Sequence, residues 1–164
     1  MYHSLLKDEK LQNDYTVSPT LFENDLKYLT ENGYTTVVVK DLTDYVYGKK
    51  SLPEKCIMLT FDDGYDDNYT ELFPLLQKYN AKATIFVIPK AIGTPHKMTA
   101  EQIYELSRSG LVSIQSHTYS HGNLSTMDEE TLIFEMRRAA KACIPLKTAR
   151  LAMTLTLTDT TGCT

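Results

Sequence analysis

Short β-branched apolar runs recur along this chain, and stretches with helical spacing separate them. The runs are Thr35–Val39, Ile57–Phe61, Ala83–Ile88 and Val112–Ser116. Each is too short for a buried helix and is bounded by turn-forming residues, so each reads as a strand. Between them, Ser18-Pro19 opens a helix with Phe22, Leu26 and Leu29 on one face, closed by Asn32-Gly33. Asp41–Tyr47 reads as a short helix, and Asn68–Tyr79 as another in which Pro74 either introduces a kink or marks the start. Thr99 and Gln102 form a capping-box pattern for a helix reaching about Ser107, with Gly110 beyond it, and Met127–Ala142 is a last charged helix. Strand and helix in strict alternation predict parallel β/α units, in which chemistry collects at the C-terminal ends of strands.

Composition fits one such domain. Of 164 residues, 42% are hydrophobic and 23% charged, with a formal net charge of -4. The basic residues form no stripe, which excludes a nucleic-acid surface. No apolar stretch approaches the roughly 20 residues needed to cross a bilayer, so no transmembrane segment is expected. Met1–Lys7 lacks the basic head and apolar core of a signal peptide, which leaves a cytoplasmic location or an omitted export segment as alternatives. Cys56, Cys143 and Cys163 are odd in number and far apart, so no disulfide framework is implied, and Cys56 reads as a buried small hydrophobe.

Two strand ends carry unusual chemistry. Thr60-Phe61-Asp62-Asp63-Gly64 closes one strand with adjacent carboxylates, and His117-Thr118-Tyr119-Ser120-His121 follows another. Alone, an Asp-Asp-Gly run is usually a turn, and a pair of histidines four residues apart is often just surface. Together, at the ends of two strands, they offer two imidazoles and a carboxylate for a divalent ion, with a second carboxylate left over as a base. Neighbouring carboxylates on extended backbone point to opposite sides, which would give Asp62 and Asp63 different roles. His96, in a Gly-Thr-Pro loop, reads as a solvated residue.

Thr60–Gly64 together with His117–His121 resembles the polysaccharide deacetylase family, carbohydrate esterase family 4, also called the NodB homology domain. Met1-Tyr2-His3 and Ala83-Thr84-Ile85-Phe86-Val87 are similar to further strands of that family. The resemblance runs over 1–142 and implies an α/β fold, a deformed (β/α) barrel. It implies removal of N- or O-acetyl groups from a carbohydrate polymer. Asp62 would be the general base, and Asp63, His117 and His121 would hold the metal, zinc first, with cobalt, nickel or manganese as alternatives. A backbone amide near Tyr65 would stabilise the oxyanion, and His3 would line the pocket or serve a structural role. The family suggests an extracellular or cell-envelope setting. A non-catalytic carbohydrate-binding remnant and an amidase acting on a small cyclic amide are the competing functions.

The resemblance stops at the tail. The family's Arg-x-Pro-Tyr segment and its late Leu-x-His, whose histidine is the general acid, are not found. The chain contains no tryptophan, and its atypical tail, 143–164, ends from Leu151 in a Thr/Leu alternation unlike anything before it. The barrel is therefore expected to be incomplete at the C-terminus and turnover weak or absent. The tail reads as truncated or frame-shifted: codons for Leu155–Asp159 read in another frame can spell Tyr-Pro-Tyr-Gly, the family's usual sequence there, a point the gene would settle. An ordinary edge strand is the alternative.

Overall fold

In the computed structural model, residues 1–7, 10 and 13–143 are described; the 144–164 part of the tail, with Cys163 and the Thr/Leu alternation, lies outside them. The principal sheet has three parallel strands in the order β5 (Leu59–Asp63), β6 (Ala83–Val87) and β7 (Val112–Ser116). Two shorter parallel pairs accompany it: β1 (Ser4–Leu5) with β2 (Thr16–Val17), and β3 (Thr35–Thr36) with β4 (Cys56–Ile57). The helices are α1 (Pro19–Glu31), α2 (Val39–Val46), α3 (Phe73–Tyr79), α4 (Ala100–Arg108) and α5 (Glu129–Cys143). The expected β/α alternation with parallel strands is present among the described residues. A domain boundary at 142/143 falls within the last turn of α5.

Local chemistry explains most of the element ends. The Ser18 hydroxyl accepts the Leu21 N–H at 3.1 Å ahead of Pro19, and Gly33, at φ +71°, turns the chain away after α1. Thr99 and Gln102 complete a reciprocal capping box, at 2.8 Å and 3.3 Å, as their spacing predicts. Pro74 marks a start: α3 begins with it in the first turn, after a π-helical turn over Asn68–Leu72.

The strand expected over Thr35–Val39 is shorter than its β-branched residues suggest. Its partner β4 has two residues, and the ladder ends where Val37 N–H donates to the Ile57 carbonyl at 2.9 Å. Asp41 then accepts the Val38 N–H at 3.1 Å, and the backbone enters α2 at Val39. The last helix likewise starts at Glu129 rather than Met127. Cys56 lies in β4 and is only half-buried.

The N-terminal segment locks onto the sheet beside β5. Tyr2 N–H donates to the Thr60 carbonyl at 2.8 Å, and Asp62 N–H donates to the Tyr2 carbonyl at 3.0 Å. The Tyr2 ring stacks on Phe61 at 5.2 Å, and Phe22 meets both rings edge-on at 5.2 and 5.4 Å. Phe22 and Phe61 are fully buried, and such aromatic contacts add about 0.5–1.5 kcal/mol each beyond their burial. Leu72, Leu76, Ile85, Ile103, Leu106 and Ile114 extend this core between sheet and helices. Burial, reinforced by a hydrogen bond to Asp25, raises the Tyr2 phenol to about 12.

Candidate metal centre

Strand register places the site. Asp63, Val87 and Ser116 lie opposite one another across β5, β6 and β7, so all three strands end at one level. His117 continues the ladder by donating its N–H to the Val87 carbonyl at 2.8 Å. Strands are about 4.8 Å apart, so side chains from β5 and from the end of β7 can meet above β6.

They do meet. Asp63 Oδ1 lies 3.6 Å from His117 Nε2 and 3.7 Å from His121 Nε2, and the two imidazole nitrogens are 3.1 Å apart. A tetrahedral ion with bonds of ~2.0–2.1 Å keeps neighbouring ligand atoms roughly 3.4 Å apart, close to these separations. One imidazole N–H can donate to the other ring, but that leaves the carboxylate unsatisfied. Asp63 Oδ1 is buried and accepts no hydrogen bond. A buried acceptor without a donor is costly, and a cation between the three atoms would satisfy it. Among the described residues this is the single cluster of its kind.

The backbone is unusual at the same place. Five non-glycine residues among those described have left-handed backbone: Asp63, Asn80, His96, Thr118 and His121. Four of them hold or border the cluster, the pattern expected where local strain positions functional groups. Asp63, at φ +71°, has left the extended region, so pleat alternation does not separate the two carboxylates as expected. The turn does. Asp62 stays on β5, opposite in pleat to buried Phe61 and half-buried itself, while Asp63 swings toward the histidines. Gly64, at φ +68°, continues the turn where an added Cβ would stand 3.0 Å from Val87 Cγ1.

Beside the triad lies a cleft of about 580 Å³, bordered by Asp63, Tyr65, His121, His3, Tyr15 and His96 among others. His3 reaches it because the paired Tyr2 fixes the chain just before it, and its ring packs against Tyr15 at 5.0 Å. His96 is exposed, but it belongs to the cleft wall rather than to a free loop. Asp66 N–H donates to its carbonyl at 3.1 Å, through a bridge between Tyr65 and Lys97. No local sequence signal marks that long-range contact.

Lys97 is the cation of this region. Its ammonium lies 3.3 Å from the centre of the Tyr65 ring and 3.9 Å from Asp63 Oδ2. Burial lowers its pKa against the opposing pull of Asp63, Asp67 and Asp66, and burial raises that of Tyr65, helped by the charge of Asp63. Sequence reasoning also missed Glu135. Its Oε2 accepts the Tyr119 and Ser120 N–H groups at 3.1 and 2.9 Å, and its Oε1 accepts the Ser120 hydroxyl at 2.6 Å. The hydroxyl bond lowers the Glu135 pKa, with the two amides assisting.

Comparison with known proteins identifies the family. The polysaccharide deacetylase family model matches residues 49–148. YxkH of Bacillus subtilis (strain 168), whose name places it among polysaccharide deacetylases, is 40% identical over 141 residues, covering 86% of this chain and 49% of its own length. The poly-beta-1,6-N-acetyl-D-glucosamine N-deacetylase of Escherichia coli (strain K12) is 31% identical over 73% of this chain and 20% of its own length. The chain thus spans about half of the first relative and a fifth of the second. Among solved structures, the Streptococcus pyogenes deacetylase PplD in complex with acetate superposes with a TM-score of 0.81 at 28% identity, covering 90% of this chain and 67% of that one. The fold is therefore the mixed α/β fold of these deacetylases, of which this chain supplies part of the full domain. Identity of 40% across most of the chain, with the family model matching the segment that carries both motifs, exceeds what a shared barrel alone produces: the chain belongs to the polysaccharide deacetylase family.

Proposed function

We propose that this chain carries the metal centre of a carbohydrate N-deacetylase acting on a polymer of N-acetylated amino sugars. The observation that carries the reading is the buried, unpartnered Asp63 Oδ1 facing two imidazole nitrogens within 3.7 Å. Asp63, His117 and His121 would hold the ion. Two neutral imidazoles and one carboxylate suit zinc best, with cobalt, nickel or manganese as substitutes. Such an ion supplies a water acidic enough to attack near neutral pH and a Lewis acid for the acetyl carbonyl.

The protein's own groups do the rest. Asp62, one residue before the ligand and on the other side of the turn, accepts the proton of the attacking water. The Tyr65–Lys97 bridge uses the N–H groups of Asp66 and Met98, leaving the Tyr65 N–H outside it and available to the developing oxyanion. The departing amine needs a proton. The imidazoles of His3 and His96 border the cleft and are candidates to supply it.

Two observations support a polymer over a small cyclic amide. The cleft is open along its flank, where Tyr15 is 64% exposed, and relatives from Escherichia coli and Staphylococcus aureus are named for poly-beta-1,6-N-acetyl-D-glucosamine. The test is metal analysis of the chain together with acetate release from β-1,6- and β-1,4-linked N-acetylglucosamine oligomers. The expected result is one equivalent of divalent metal and at most slow acetate release, which a chelator abolishes and Asp62→Asn suppresses. Metal and saccharide binding without acetate would identify the carbohydrate-binding remnant instead. Absence of metal would sink both.

A further inference from the structure

Helix α5 turns a carboxylate inward, beside buried Ala139 and partly buried Leu132. Glu135 is 5% exposed, while Ile133, Phe134 and Met136 on the same helix are 41%, 50% and 53% exposed. A helix docked by hydrophobic burial turns its apolar residues inward, and glutamate is among the residues least often buried without a partner. Here a carboxylate faces inward, so the arrangement needs a reason specific to what Glu135 touches.

It touches the segment between the two histidines. All three hydrogen bonds of Glu135 go to Tyr119 and Ser120, which bridge His117 and His121. None of residues 117–122 is buried, so no hydrophobic core fixes this loop. Two of its residues, Thr118 and His121, have φ +61° and +60°, conformations that non-glycine residues keep only when surroundings impose them. The other hydrogen bonds described for the loop are His117 N–H to Val87, Lys90 N–H to the Tyr119 carbonyl at 3.0 Å, and His121 N–H to the Thr118 hydroxyl at 3.0 Å, while the Tyr119 ring also meets Phe134 edge-on at 6.3 Å and lies under the Arg138 guanidinium at 4.9 Å. The first two hold the near half. The far half, which carries His121, turns back at Ser120, and that residue is held by both carboxylate oxygens.

We propose that Glu135 is a positioning residue for the metal centre: its carboxylate sets the loop so that His117 Nε2 and His121 Nε2 stand 3.1 Å apart and face Asp63 together. The inference rests on the metal reading above, but neither the sequence motifs nor the ligand set includes Glu135. A glutamate three helical turns from any ligand in space would be surface decoration. This one holds the peptide units through which one ligand is joined to the other. Partners that orient metal ligands typically carry 10- to 100-fold in metal affinity.

The test uses the full chain, freed of metal and titrated with zinc against a competing chelator, and with cobalt for its visible absorption. Glu135→Gln keeps the size of the side chain but can offer only one acceptor oxygen, and it should weaken zinc about 10- to 100-fold and alter the cobalt band intensities. Ser120→Ala, which deletes one of the three bonds, should lie between this variant and wild type, and decides the matter if Glu135→Gln does not fold. Ala139→Gly loosens the buried face of α5 without touching the carboxylate, so it should lower Tm and leave affinity and spectrum unchanged. Equal zinc affinity in wild type, Glu135→Gln and Ser120→Ala overturns the inference alone. So does a loss in Ala139→Gly as large as that in Glu135→Gln, because α5 docking would then be the cause. A wild-type chain that binds neither metal overturns the proposed function and this inference with it.

Discussion

The two halves of the proposed metal triad are held by different physics. Asp63 ends β5, a strand hydrogen-bonded on one side to β6 and on the other to Tyr2, where the half-buried Tyr2 ring packs on buried Phe22 and Phe61. His117 and His121 follow β7, which among the described residues is paired on one side only, and their loop is fixed by a carboxylate and backbone bonds rather than by a core. The first half is rigid because apolar burial is large and cooperative. The second is positioned by a few directional bonds, each individually modest. Damage to the first half should therefore appear as lost folding, and damage to the second as lost metal affinity in a folded chain.

Phe61→Ala breaks the first half most severely. Removing a fully buried phenylalanine beneath the acidic turn should cost about 3–5 kcal/mol, read from chemical denaturation. The fraction still folded should bind metal nearly as wild type does. A large loss of affinity in that folded fraction would mean that the aromatic cluster positions Asp63 directly, and the contrast would be weaker than drawn.

Gly64→Ala probes the turn itself. Left-handed backbone costs a residue with a Cβ about 1–2 kcal/mol, and the new methyl would press on Val87. Stability and metal affinity should both fall, since Asp63 precedes the turn directly. Unchanged affinity with reduced Tm would place the turn on the folding side only.

The smallest effect is a pH dependence. The Tyr2 phenol is raised from its ordinary 10.0 to about 12, chiefly by burial. The folded state thus holds this proton more tightly than the unfolded state does. Its contribution to stability is complete below pH 10 and is lost as pH rises from 10 toward 12. Tyr2→Phe should flatten that part of the Tm-against-pH curve relative to wild type. Parallel curves would show that the N-terminal tyrosine does not couple to folding of the β5 half.

The same contrast explains what could be read without coordinates. Val112–Ser116 and the Thr99–Gln102 capping box are local patterns, and the structure reproduces them residue for residue. The Asp62-Asp63 and His117/His121 pairs were legible as strand-end chemistry because parallel β/α architecture brings strand ends together. Thr35–Val39 misled because β-branched propensity is weaker than a two-residue partner strand and the Asp41 cap. The left-handed Asp63 was hidden as well, since propensity assigns an aspartate at a strand end to extended backbone. Glu135 was illegible for another reason: a carboxylate in a charged helix looks solvated until long-range contacts are known. His96 is exposed in a turn, as read, and only its place on the cleft wall depends on such contacts.

The membership of the triad is the central claim, and Asp63→Asn tests it most directly. Asparagine tolerates the left-handed backbone and keeps the shape of the side chain, so folding should change little. Zinc titration of the metal-free wild-type chain should give one equivalent bound, and the same titration of Asp63→Asn should show affinity reduced at least about 100-fold with Tm nearly unchanged, since an ionised ligand oxygen is lost. Equal zinc affinity in the two proteins would contradict the account, because the buried Asp63 oxygen would then not be a ligand.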